Sequence, residues 1–143
     1  MLADAAKDGI DLRVLSGYRS FDYQMTLKSQ YKVIYGAGTA NQFAAEQGYS
    51  EHQLGTAVDF TTSVLKSAEI AFDLTPAYVW LVKNAHEYGF VLSYPKGNTY
   101  YQYEPWHWRF VGVDLAADLN RKKIHFYEMD QREIDLYLIK IFD

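Results

Sequence analysis

The chain predicts an α+β domain in which a small antiparallel sheet carries helices packed on it. Three observations point there. Short strand-like runs are interspersed with capped helical stretches, and hairpin-like segments crowd residues 90–113. The 143 residues, 49% apolar and 22% charged, suit one globular domain with its own core. Residues 1–143 are therefore read as a single domain, with 122–143 as a C-terminal tail that is harder to assign.

Taken in order, Leu2, Ala5 and Ala6 form the apolar face of a helix that stops at Gly9. Its abrupt start implies further residues upstream. Ile10, Leu12 and Val14 alternate with polar side chains, as a half-buried strand does. That strand delivers Ser16-Gly17-Tyr18-Arg19-Ser20, and Ser20 is placed to cap a helix over 21–35, closed by Gly36. Thr39 or Asn41 caps a short helix through Glu46, Gly48 breaks it, and 50–55 is a loop leading into a strand over 56–60. In that strand Ala57 and Asp59 share one face, and Thr56, Val58 and Phe60 share the other. Thr75-Pro76 reads as an N-cap with proline at the first helical position. The helix it starts turns Tyr78, Val79, Leu81, Val82 and Ala85 to the core and ends at Gly89. Strands follow over 90–94, over 100–103 after a turn at 95–98, and over 107–113, the last of them central. Asp114 caps a helix to about Arg121, and the tail is expected to hold a short strand and then a helix from about Asp130.

Composition narrows the function. A net charge of −4 without a Lys/Arg cluster argues against a nucleic-acid surface. No apolar run is long enough to span a membrane, and the N-terminus lacks the pattern of a signal peptide. Because the chain has no cysteine, any metal must be held by His and carboxylates, the catalytic rather than the structural style. The 13 Tyr and 3 Trp suit a groove that grips an extended polar ligand.

His52 and Asp59 in SEHQLGTAVDF and His107 in YEPWHW read together as a catalytic zinc site. Such sites take three protein ligands and leave a fourth position to water, while a carboxylate outside the shell handles the proton. Glu104, tied to His107 through Pro105, supplies that carboxylate. His86-Glu87 resembles the start of a helical HExxH signature but has Phe90 where the second histidine belongs, and His125 falls in the tail.

SGYRS, Gln24, SEHQLGTAVDF, HEYGFVLSYP and YEPWHWRFVG, in that order, resemble the zinc D-alanyl-D-alanine carboxypeptidases of vancomycin-resistance (VanY) type. Their wider group includes D,D-dipeptidases, L,D-carboxypeptidases and phage endolysin peptidases. The resemblance spans about residues 2–120 and implies a sheet-borne zinc site of the hedgehog/D,D-peptidase kind. It also implies one Zn2+ on His52, Asp59 and His107, with Glu104 as catalytic base. Arg19, with Gln24 and Ser50, would bind the substrate's terminal carboxylate or polarise the scissile carbonyl, roles an arginine fork suits. The implied substrate is the peptidoglycan stem peptide, cut by a monomeric protein working outside the cytoplasm. A dipeptidase or phage product at work in the cytosol stays open. Two positions depart from the family: Gln47-Gly48 stands for Pro-Gly, and Ser93 stands where arginine is frequent, removing a positive charge near the sheet. An L,D-carboxypeptidase or endopeptidase shares the chemistry. A non-catalytic zinc module is a reading from another class, against which Glu104 and Arg19 speak, and a cell-wall-binding module that recognises through its aromatic residues rather than a metal is a third.

Overall fold

Among the described residues four short strands, β1 (Arg13–Ser16), β2 (Ala57–Thr61), β3 (Phe90–Leu92) and β4 (His107–Phe110), pair antiparallel in the order β1-β2-β4-β3. A computed structural model of the chain describes residues 1–36, 38–40, 44–65, 71–99 and 101–138. Around the sheet lie helices α1 (Leu2–Lys7), α2 (Phe21–Tyr35), α3 (Pro76–Asn84), α4 (Val113–Lys122) and α5 (Gln131–Leu138). The α+β architecture and the inner position of β4 agree with the sequence.

The period of two along each strand separates two faces. From β2 and β4, Phe60 and Trp108 turn into an apolar core with Leu12, Phe72, Trp80, Leu81 and Ala85. Asp59 and His107 turn to the opposite face, where both are buried. The register sets them directly across from each other, and it sets Ser16 of β1 opposite Asp59 on the other side. An irregularity between Val14 and Ser16 interrupts the β1–β2 ladder next to this row, the kind of bulge that re-aims a side chain near a site.

Two of the helix caps read from the sequence, Ser20 and Thr75, are present. The Ser20 hydroxyl accepts from Tyr23 N at 3.2 Å, and the Thr75 hydroxyl accepts from Tyr78 N at 3.2 Å. At Gly89 the backbone turns left-handed (φ +82°), and a Cβ there would stand 2.6 Å from the Phe110 ring. Only glycine fits. The face of α2 turned inward is polar: Gln24 and Lys28 are buried, and the Lys28 ammonium donates to the carbonyls of Ala40 and Ala44.

Several boundaries differ from expectation. The first strand begins at Arg13 rather than Ile10, and Val14 stays 51% exposed, because β1 is an edge strand covered mainly near Leu12. In α3 the buried stripe is Ala77, Trp80 and Leu81, continued by Ala85, so the 3.6-residue period leaves Val79 and Val82 outside. Described residues 101–103 form no strand. Glu104 N instead donates to Tyr94 O at 3.1 Å, and Tyr101 packs on the Tyr94 ring. Gly112, not Asp114, is the N-cap of α4. In place of a tail strand there is a 3₁₀ turn at Phe126–Glu128, closed by the Glu128 side chain accepting from His125 N, with α5 beginning at Gln131. The expected helix over 39–46 and the start of the 100–103 segment lie partly outside the described residues. Among the described residues no helix is long and apolar enough to cross a membrane.

Leu81→Ala is expected to cost about 2–5 kcal/mol of stability, while the exposed Val79→Ala changes it by less than about 0.5 kcal/mol. Urea denaturation of the two variants checks the assignment of the helix face.

Candidate active site

Three chain segments meet on the polar face of the sheet. The first is the end of β1 and the turn into α2, which brings Ser16, Gly17 and Arg19. The second is a 3₁₀ turn, Glu51–Leu54, followed by β2, which brings Glu51, His52 and Asp59. Gly55, left-handed at φ +72°, closes that turn and lets the chain reverse straight into the strand. The third is the Glu104-Pro105-Trp106-His107 turn, in which His107 N donates to Glu104 O at 3.1 Å and β4 begins.

His52, Asp59 and His107 present one ligand atom each, all within 4.8 Å of one another, and all three residues are buried. His52 Nε2 lies 3.3 Å from Asp59 Oδ2, and His107 Nδ1 lies 3.0 Å from Asp59 Oδ1. The opposite ring nitrogens are engaged elsewhere: His52 Nδ1 contacts Gly17 O at 2.7 Å, and His107 Nε2 contacts Glu51 Oε2 at 2.8 Å. Each contact to an oxygen acceptor keeps a proton on the outer nitrogen and turns the inner nitrogen toward the cluster, the orientation that metal-ligating histidines use. The donor set therefore fits a divalent metal with two imidazoles and one carboxylate. Glu104 Oε2 stands 3.9 Å from His107 Nδ1, beside this shell and mostly buried.

Electrostatics follow from the crowding. Burial alone would raise the Asp59 carboxyl, but hydrogen bonds and charge from His107 and His52 outweigh it and hold the group well below the usual carboxylate range. For His107 burial opposes the charged form, yet Asp59, Glu51 and the Glu104 charge raise the imidazole to about 9. Burial likewise opposes ionised Glu51, which His107, Tyr127 and Arg109 nonetheless bring down to about 2. In the metal-free chain the imidazolium thus balances the acids around it, and a metal would take the proton's place.

Arg19 Nη2 donates to Asp59 Oδ2 at 2.6 Å and to Ser16 Oγ at 2.9 Å. Arg19, Gln24 and Ser50 line the same cleft of about 290 Å³ as His52, Asp59, Glu104 and His107. Gln24 Nε2 donates to Ala45 O, while its buried Oε1 has no hydrogen-bond partner among the described residues. All seven residues named from the sequence are thus brought together. His86 and His125 are not; both border a separate, mainly apolar cavity.

The sequence reading passed over Glu51, Ser16, Tyr94 and Tyr127. Glu51 looks like a solvated turn residue beside His52. It is buried because Ser93 Oγ, Arg109 Nη1 and the Tyr127 hydroxyl, all remote in sequence, converge on it. Ser93 contributes a neutral donor, and Arg109 supplies the positive charge. Tyr94 stacks on the His107 ring at 4.8 Å and 25°.

The model of the VanY family, described as D-alanyl-D-alanine carboxypeptidase, matches residues 1–113. The chain belongs to the VanY family. A D-alanyl-D-alanine carboxypeptidase of Enterococcus faecium is 37% identical over 126 residues, covering 85% of this chain, which spans only 37% of that relative's length. Among solved structures similar to this VanY-family chain, the LdcB LD-carboxypeptidase superposes with a TM-score of 0.79 at 36% identity, covering 87% of this chain and 60% of its own. A variant of the vancomycin-resistance D,D-pentapeptidase VanY in complex with Zn(II) gives 0.75 at 30% identity, covering 89% and 75%.

Titration with Zn(II) is expected to raise the melting temperature, by the equivalent of about 2.7 kcal/mol when free metal is 100 times Kd. A chelator should reverse the gain, and Asp59→Ala should abolish it. Glu51→Gln is expected to weaken metal binding by about 10–100-fold, as measured by competition with a chromophoric chelator.

Proposed function

We propose that this chain is a zinc metallopeptidase that removes the terminal D-amino acid from peptidoglycan stem peptides, of the D-alanyl-D-alanine carboxypeptidase type. The observation that carries the reading is the buried His52–Asp59–His107 constellation with Glu104 beside it at the floor of a cleft. Family membership agrees with it. His52, Asp59 and His107 would hold one Zn2+. When bound, zinc polarises a carbonyl and lowers the pKa of water at its open position from about 16 toward 7.

The remaining work falls to the protein. Glu104 Oε2 takes the proton of the attacking water and delivers it to the amine that leaves. Arg19 has only Nη2 engaged among the described residues, so Nε and Nη1 remain for the substrate's terminal carboxylate, or for the oxyanion that forms at the scissile carbonyl. Ser50 supports that end of the cleft. Gln24 lines the same cleft, its Nε2 held by Ala45 O, and would help Arg19 position that end of the substrate. Tyr94 and Trp106 wall the cleft and limit water around the reacting bond. Because stem peptide lies outside the membrane, the protein acts there.

A second reading, hydrolysis of an L,D bond, is supported by the similarity to the LdcB LD-carboxypeptidase. Mass spectrometry of defined muropeptides incubated with the zinc-loaded protein separates the two. Loss of one D-Ala from a stem ending in D-Ala-D-Ala supports the D,D reading, and loss only from stems already shortened to a single D-Ala supports the L,D reading. An internal cut, or no cut, overturns both. Glu104→Ala is expected to retain zinc and lose the 10²–10⁴-fold that a general base contributes, about 3–5 kcal/mol in the barrier. Retained turnover in that variant would remove Glu104 from the role.

A further inference from the structure

We propose that Tyr127, in the C-terminal segment beyond the family-matched residues 1–113, is a positioning residue for the metal centre that holds the His107 ring through the carboxylate of Glu51. The inference rests on the metal reading above and extends the site into a part of the chain that the family model does not reach.

Both oxygens of Glu51 are shared. Oε2 takes His107 Nε2 at 2.8 Å and Ser93 Oγ at 2.8 Å. Oε1 takes Arg109 Nη1 at 2.8 Å and the Tyr127 hydroxyl. A carboxylate fixed at one oxygen can still swing about it. One fixed at both cannot, and the direction of the His107 Nε2–H bond, which aims Nδ1 at the ligand cluster, is then set. Tyr127 acts on the ring by a second route. Its own ring stacks on Tyr94 at 6.4 Å and 8°, and Tyr94 stacks on His107 at 4.8 Å and 25°.

The segment is built to present this side chain. Glu128 closes the turn through His125 N, and Phe126 lies 4.7 Å from the Arg109 guanidinium that shares Oε1 with Tyr127. The following helix is tied to α4 by Tyr137, whose hydroxyl donates to Asp118 at 2.6 Å. Burial, followed by the contact with ionised Glu51, pushes the Tyr127 hydroxyl up in pKa, so it stays a donor.

The test compares the full-length chain with Tyr127→Phe and Tyr137→Phe, reading the Zn(II) dissociation constant by chelator competition and the visible spectrum of the Co(II)-substituted protein. Tyr127→Phe is expected to raise the Zn(II) Kd by about tenfold, the lower end for outer-sphere partners of a metal-ligating histidine, and to shift the Co(II) bands. Tyr137→Phe loosens the same segment without touching Glu51 and is expected to change neither. A Tyr127→Phe protein with Kd within twofold of wild type and an unchanged Co(II) spectrum would overturn the proposal. Should that variant not fold, 3-fluorotyrosine at position 127 strengthens the donor at nearly constant shape. A shifted Co(II) spectrum then supports the proposal, and an unshifted one overturns it. Wild-type protein that takes up neither ion refutes the metal reading itself, and this inference with it.

Discussion

A negative charge buried in the middle of a sheet is the constraint around which the polar face is organised. Asp59 is 5% exposed, and an ion so placed persists only if it is paired and hydrogen-bonded. The antiparallel register meets that need by setting Ser16 on one side of it and His107 on the other. Arg19 and His52 come in from the flanking turns. Every one of these partners is also a cleft residue, so the compensation of one buried carboxylate and the assembly of the site are the same event.

The order of dependence runs outward from there. His107 balances Asp59 but gains a second acid in Glu51, and Glu51 in turn needs Arg109, Ser93 and Tyr127. Each shell satisfies the charge left over by the one inside it. Removing a member therefore exposes an unpaired buried group, a larger effect than the loss of a single contact.

Much of this was legible from the residues alone. Caps at Ser20 and Thr75, glycine stops at Gly36 and Gly89 and the alternation around Asp59 leave local signatures, because each depends on neighbours within a few positions. The gathering of His52, Asp59 and His107 with Glu104 beside them was legible because few other chemistries need that company of His and acids. Glu51 was not: nothing within its own segment marks it as buried, and its partners lie 42, 56, 58 and 76 positions away. The stripe on α3 was misjudged for a related reason. Val79 and Val82 are as apolar as Leu81, and only packing of Trp80 beside Leu81 shows which arc of the helix faces inward.

The ring of His107 is held by Asp59 and Glu51 at its two nitrogens, by Tyr94 on a face and by His52 edge-on at 4.8 Å. Such confinement bears on which ions can be tolerated. A calcium ion asks for about six to eight oxygens and an adaptable shell, while this pocket offers two nitrogens and one carboxylate on rigid strands and turns. Selection against large oxygen-seeking cations is then a matter of immobility as much as of donor type, and it is decided by the packing of the sheet before any ion arrives.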